Sequence, residues 1–424
     1  MSDEADQDEL TNEPESDDDA VVLDEDGADR RRFVIRNHIK KRLDSYLQGR
    51  LKGISRSRVQ KLIDLGGVKV NDTTPKSSTK IKTGDVIDVV LPPPAIRTIE
   101  PEDIPLNILY EDDSFLIVNK QANLIVHPAR SNLSGTLLNG LAHHFKMQSQ
   151  QRGGNFDGWQ TRGFRQNKKR TVDGLSQVGA DECRPGIVHR LDKNTTGVMV
   201  VAKSDDAHWS IAKQFEQRVP IKAYLALVHG APDPSDGPGC VIEAPIGKHP
   251  TIREAFGVRH DSKSKQSVTL YRVRERYRGY TLLELELKTG RTHQIRVHLQ
   301  YIGLPIVGDI TYGGEPLGEG DIDNPPIAAG SKKFVTYART REEGLAIEAK
   351  NRDRDDLLLA HPALHAGYLN FIHPVSDERV TFTAPVHERM RSIIHQMRQH
   401  RVDGPTAKQG VWIDLDQCVS DASN

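Results

Sequence analysis

A carboxylate held where a strand gives way to a polar turn, with an arginine two residues away, is a candidate nucleophile or general base. Residues 184–203, RPGIVHRLDKNTTGVMVVAK, present that combination at Asp192 and Arg190. Apolar runs on either side predict two strands, Gly197 closes the turn between them, and Arg190 falls on the same pleat face as Asp192. Taken as an isolated tripeptide, Arg-Leu-Asp favours a structural ion pair over a reactive group. A second candidate is Arg291, which follows the alternating strand Thr281, Leu283, Leu285, Leu287 and precedes a helix with the stripe Ile295, Leu299, Ile302. Tyr224 lies on an alternating strand, where the plain reading is a core tyrosine.

These residues need a scaffold, and the chain supplies one in segments. Residues 1–32 carry an acidic run that predicts a disordered tail. Residues 33–92 predict a small unit of two helices and a sheet, in which Val59, Leu62 and Ile63 form an apolar stripe and Gly66-Gly67 ends the helix. Lys40, Lys41, Arg42, Arg56, Arg58 and Lys61 gather on or near its helices, a phosphate-binding footprint. Prolines 92–94 open a linker over residues 93–104. A larger domain over residues 105–396 begins with a hairpin and carries insertions near 146–183 and 313–356. Within the first, residues 148–170 mix six cations with aromatic residues; the second reads as a loop with one short helix. Residues 397–424 read as a C-terminal tail.

Composition narrows the function classes. The 424 residues allow two to four domains, and no apolar run approaches the ~20 residues that cross a bilayer, so a soluble, cytoplasmic protein is expected. The net charge of -1 hides an asymmetry. Residues 1–29 hold 14 acids and no Lys or Arg, which leaves 58 basic residues against 45 acidic ones in the rest, a body of +13 suited to a polyanion. Cys183, Cys240 and Cys418 are too few and too far apart for a disulfide framework or a zinc pair. His143-His144, His293 with His298, and His361 with His365 lack a matched third ligand, so no metal is expected. No glycine run leads into Lys-Ser or Lys-Thr, so no nucleotide cofactor is expected either.

The string around Asp192 resembles the signature of the RluA-type RNA pseudouridine synthases, an HRLD sequence followed by a Thr-Gly turn. Residues 219–230, VPIKAYLALVHG, and 287–314, LKTGRTHQIRVHLQYIGLPIVGDITYGG, resemble the family's next segments in type and order. The small unit resembles an S4 RNA-binding domain through Arg42-Leu43-Asp44, residues 55–58 (SRSR), residues 66–71 (GGVKVN) and Gly84-Asp85. The resemblance implies an α+β fold, with a mixed, largely antiparallel sheet and flanking helices behind an S4-like domain. It implies an isomerase that converts uridine to pseudouridine, with Asp192 catalytic, Arg291 its partner, Tyr224 stacked on the target base and Arg190 assisting base eversion. The S4 arrangement points to large-subunit ribosomal RNA or the assembling subunit as partner, with no membrane and a monomer expected. Transfer RNA modification by the same chemistry and a non-catalytic ribosome-assembly role are the rivals. The chain departs from the family's Asn-Lys-Pro-x-Gly at Asn119-Lys120-Gln121-Ala122-Asn123, and has His361-Pro362 where Arg-Gln is usual.

Overall fold

The computed structural model describes residues 21–23, 29–36, 41–51, 56–91, 97–128, 132–152, 159–161, 174–176, 178–179, 184–252, 254–325, 355–359 and 361–420. The chain divides into a first unit within residues 1–96 and a second that begins at residue 97.

The first unit has strands β1 (Val21–Leu23) and β2 (Asp29–Val34), helices α1 (Leu43–Arg50) and α2 (Arg56–Asp64), and strands β3 (Val68–Val70) and β4 (Val86–Leu91). The strands form one antiparallel sheet in the order β1-β2-β4-β3. Phe33, Leu47, Val59, Ile63 and Ile87 close its core. Two strands thus fall in the stretch expected as a disordered tail. The reason is cross-strand pairing that composition does not show: Asp29 to Val34 pairs with Leu91 to Val86, and Arg32 bonds Asp88 in a fork at 2.6 and 3.0 Å.

The second unit opens with β5 (Arg97–Ile99), which pairs with β8 (Trp159–Thr161), so part of the expected linker and part of the first insertion form a ribbon. The hairpin β6 (Asn107–Glu111) and β7 (Phe115–Lys120) leads to α3 (Leu137–Gln151), and β9 (Thr196–Ala202) to α4 (Asp205–Gln217). There follow β10 (Ile221–His229), β11 (Gly239–Glu243), β12 (Ile246–Lys248), β13 (Phe256–Val258), β14 (Val268–Tyr277), β15 (Tyr280–Leu287) and α5 (Gln294–Tyr301). The chain continues through β16 (Leu317–Gly318), α6 (Glu319–Asp323), β17 (Leu357–Leu359), β18 (Leu364–Ile372), β19 (Arg379–Thr383), α7 (Glu388–Met397) and α8 (Leu415–Val419). The helix α6 lies within the second insertion, of which residues 326–354 lie outside the described residues.

The main sheet runs β11-β14-β15-β10-β18-β9-β7-β6, with β19 added on β18. Among the described residues its one parallel pair is β9 with β18, where His365 faces Thr196 and Ala366 faces Gly197. Gly197 is required there: its φ is +114°, and a Cβ would lie 2.2 Å from the Ala366 carbonyl oxygen. Close approach of these strands sets the position of the turn just before β9. Beside it, the His365 Nε2–H donates to the Ala384 carbonyl at 2.9 Å, so Nδ1 accepts the Thr196 hydroxyl at 2.8 Å.

Residues 401–420 are not the tail expected from the sequence. The Trp412 main-chain N–H donates to Glu284 at 2.6 Å and its indole N–H to Glu286 at 3.0 Å, while Ile413, Cys418 and Val419 are buried in the main core. Buried carboxylates on β15 need donors, and this segment brings them.

Candidate active site

Asp192 sits in a turn, its carbonyl accepting the Thr195 N–H at 3.1 Å, four residues before β9. Only this downstream strand of the two expected flanks forms, since residues 187–195 adopt turns and irregular structure. Lys120 pins the turn from below. Its Nζ is buried and donates to the carbonyls of Gln121 at 2.9 Å, Leu124 at 2.9 Å and Lys193 at 3.0 Å. Burial pulls the Lys120 amine down to about 7, against the attraction of Asp192. Three carbonyl acceptors match the three hydrogens of an ammonium group, so the geometry favours the charged form.

The Asp192 carboxylate, 24 % exposed, borders a cleft of about 810 Å³ and a smaller recess of about 300 Å³. Tyr224 and Arg291 line the cleft, and Arg190 lines both. The structure therefore gathers all four sequence candidates at one opening.

Their pairing differs from expectation. The guanidinium facing Asp192 is that of Arg296, with Nη1 at 3.5 Å from Oδ2, and no contact within 4.0 Å joins Arg291 to Asp192. Arg291 lies three residues before α5 and lines the cleft, whereas Arg296 is on the helix itself. Arg296 is fixed from behind. Asp309 accepts its Nε and Nη2 at 2.7 Å each, and its Cζ stands 4.8 Å from the Tyr312 ring centroid. Burial opposes the charge on Arg296, but Asp309 and then Asp192 outweigh burial and hold the group more firmly protonated than usual. Arg190 is exposed and makes no ion pair with Asp192, so shared pleat geometry does not hold across this turn.

His293 completes the wall. It occupies the left-handed region at φ 57° as the residue before α5, and its Nε2 lies 3.9 Å from Asp192 Oδ2. Burial lowers the His293 pKa, more than Asp192 raises it. The Tyr312 hydroxyl oxygen accepts the Phe256 N–H at 3.0 Å, leaving its hydrogen for His293 Nδ1 at 2.8 Å. A neutral ring so bonded carries its proton on Nε2, the nitrogen nearest Asp192. The Tyr224 ring is buried on β10, and burial and the Asp192 charge push its phenol up, so it presents a neutral face.

Arg296, Asp309, His293 and Lys120 were missed as site residues. One signal was available: Asp309 is the sole acid between Glu286 and Glu315, and an arginine flanked by Ile295 and Val297 in an apolar helix needs an acid to be buried.

In the first unit, Arg42 and Arg56 do not present free cations. Asp44 accepts both Nε and Nη2 of Arg42 at 3.1 Å, Nη2 of Arg56 at 3.0 Å and the Gln60 amide at 2.7 Å. Hydrogen bonding to Arg42, over the opposing effect of burial, holds the Asp44 carboxyl well below its ordinary range. Lys41 and Lys61 are exposed; Lys40 and the Arg58 side chain lie outside the described residues. Among the described residues no group of three or more His, Cys, Asp or Glu could hold a metal, and no helix is long and apolar enough to cross a membrane.

Comparison with known proteins bears on this geometry. The family described as RNA pseudouridylate synthase matches residues 114–301, and the S4 domain family matches residues 41–87. The chain is 34% identical over 359 residues to an uncharacterized RNA pseudouridine synthase of Bacillus subtilis, covering 85% of this chain and 95% of that one. It is 37% identical to RNA pseudouridine synthase 2, chloroplastic, of Arabidopsis thaliana, covering 85% and 81%. It is 33% identical to ribosomal large subunit pseudouridine synthase D of Pasteurella multocida, covering 82% and 89%.

Proposed function

The chain belongs to the RNA pseudouridylate synthase family, and from that premise we propose that it isomerises uridines of large-subunit ribosomal RNA in the cytoplasm, with Asp192 as the reacting carboxylate. The observation that carries this reading is the cleft that the partly exposed Asp192 lines, with the Arg296 guanidinium 3.5 Å from its carboxylate. Isomerisation breaks the bond from uracil N1 to ribose C1′, turns the ring and joins C5 to C1′; the C5 proton leaves and N1 gains one. Positive charge develops at C1′ as the first bond breaks, and an anion held against it stabilises or traps it.

Each neighbour has a part in that reaction. Arg296, locked by Asp309, aims Asp192 without covering its exposed side. Tyr224 offers a flat neutral surface to the everted uracil, worth roughly 1–3 kcal/mol of stacking against the cost of leaving the RNA stack. Arg190, exposed at the rim, is placed to fill the vacated position or meet a backbone phosphate. The first unit contributes affinity rather than choice of uridine. The target rests on the relatives named for the large ribosomal subunit.

Position-by-position pseudouridine mapping in cells with and without the gene tests the target. Sites in large-subunit ribosomal RNA are expected to vanish with the gene; loss confined to transfer RNA would overturn the choice.

A further inference from the structure

Two cations in the cleft wall have no acid to neutralise them. Lys222 lies on β10 two residues before Tyr224, so both side chains leave the same face of the strand and both line the cleft. Its Nζ rests 5.4 Å from the centroid of the Phe215 ring, which is stacked on neutral His189 at 4.6 Å. A side chain on Gly290 would come within 4.0 Å of that Nζ, which puts Lys222 against the loop that carries Arg291. Among the described residues no carboxylate lies within 4.0 Å of either cation, and burial is the sole influence lowering the Lys222 pKa. The Arg291 Nε is buried without a hydrogen-bond partner. The nearby Glu286 is already engaged by Lys288, Arg272 and Trp412.

The loop itself is rigid. The Gln294 side-chain oxygen accepts the Arg291 N–H at 3.0 Å and the Thr289 hydroxyl at 2.8 Å, while its amide donates to the Val268 carbonyl and the Thr269 hydroxyl. A half-buried cation with no acid to neutralise it is costly, and two of them lining one cleft are most simply completed by an anion that arrives from outside.

We propose that Lys222 and Arg291 form an anion subsite that holds a backbone phosphate next to the everted uridine. This rests on the reading of the cleft as an RNA-modifying site. Phosphodiester is the one permanent anion that RNA carries, and its two free oxygens can meet two donors that line one cleft. Lys222 stands about 7 Å along the strand from Tyr224, a spacing on the scale of one nucleotide. Arg291 is accordingly a substrate-binding residue, and the task of aiming Asp192 stays with Arg296.

The test is binding and turnover of a short fluorescein-labelled single-stranded RNA centred on uridine, with wild type, Lys222→Met, Lys222→Arg and Arg291→Met. Lys222→Met is expected to raise Kd and KM roughly tenfold with kcat nearly unchanged. The slope of log Kd against log salt should fall by about 0.7, the value for one single-strand phosphate contact. Lys222→Arg should keep that slope. A methylphosphonate at one linkage beside the uridine should weaken wild type by the same factor and leave Lys222→Met no weaker. An unchanged salt slope in Lys222→Met, or a loss confined to kcat, overturns the subsite. Salt dependence is read from binding alone, so absence of turnover in wild type would refute the proposed reaction and still decide the subsite.

Discussion

The tripeptide Arg-Leu-Asp occurs once in each unit, and the two copies do opposite things. In the first unit Asp44 is buried at the start of α1 and gathers Arg42, Arg56 and Gln60 around itself, so the carboxylate is spent on holding structure. In the second unit Arg190 turns outward and Asp192 is left 24 % exposed beside a cleft, its arginine supplied by a helix 104 residues along the chain. A local sequence thus fixes neither burial nor pairing. What separates the two is whether the next element buries the carboxylate, as a helix does at Asp44, or leaves it at the mouth of the parallel strand pair, as at Asp192.

Breaking the second pair should have the largest effect. Arg296→Met is expected to lower kcat about 10³-fold, since it removes the fixed charge that aims Asp192, while RNA affinity changes only a few-fold. Turnover near wild type in Arg296→Met would restore Arg291 as the partner.

Acid should separate the units next. Burial pulls His189 down to about 3, with Lys222 adding to it, and burial likewise pulls His365 down to about 4 against its bond to the Ala384 carbonyl. An unfolded histidine near 6.5 binds a proton that these folded ones refuse, so the stability they support is complete above 6.5 and lost as pH falls from there toward their folded values. Each contributes up to about 1.4 kcal/mol per pH unit in that window. The described residues of the first unit contain no histidine, and the Asp44 contribution is retained until pH falls below the ordinary carboxylate value of 3.8. Hydrogen exchange at pH 5.5 and 7 should therefore show the second unit loosening first; equal loosening would contradict the contrast.

Asp44→Asn should cost the first unit about 1–3 kcal/mol, discounted because Arg42 and Arg56 are half exposed to water, and this should appear as faster exchange in α1 and α2. Asp309→Asn should have the smallest effect, a fall in kcat of about tenfold with KM retained, because Arg296 keeps Asp192 but loses its forked anchor. A rise in KM alone would assign Asp309 to RNA binding instead.

Much of this was legible in the chain. The turn at Asp192, the strand bearing Tyr224, the hairpin over residues 107–120 and the two-helix unit follow from alternation, helical stripes and glycine positions. Arg296 was not, because a helical stripe read as Ile295, Leu299 and Ile302 treats the residue between Ile295 and Val297 as solvent-facing, and only the fold shows Asp309 waiting behind it. Ile302 of that stripe is in fact exposed. The packing of residues 401–420 was hidden for a similar reason: their apolar content is modest, and what holds them is a set of buried glutamates on a distant strand. Pairings between remote segments leave little trace in either one alone.

The most direct test of the central claim uses purified protein and RNA that carries tritium at uracil C5. When C5 joins the ribose its hydrogen passes to water, so wild type should release tritium, and Asp192→Asn should release less than about one-thousandth as fast while binding the RNA equally well. Comparable release by Asp192→Asn would show that another group carries the reaction.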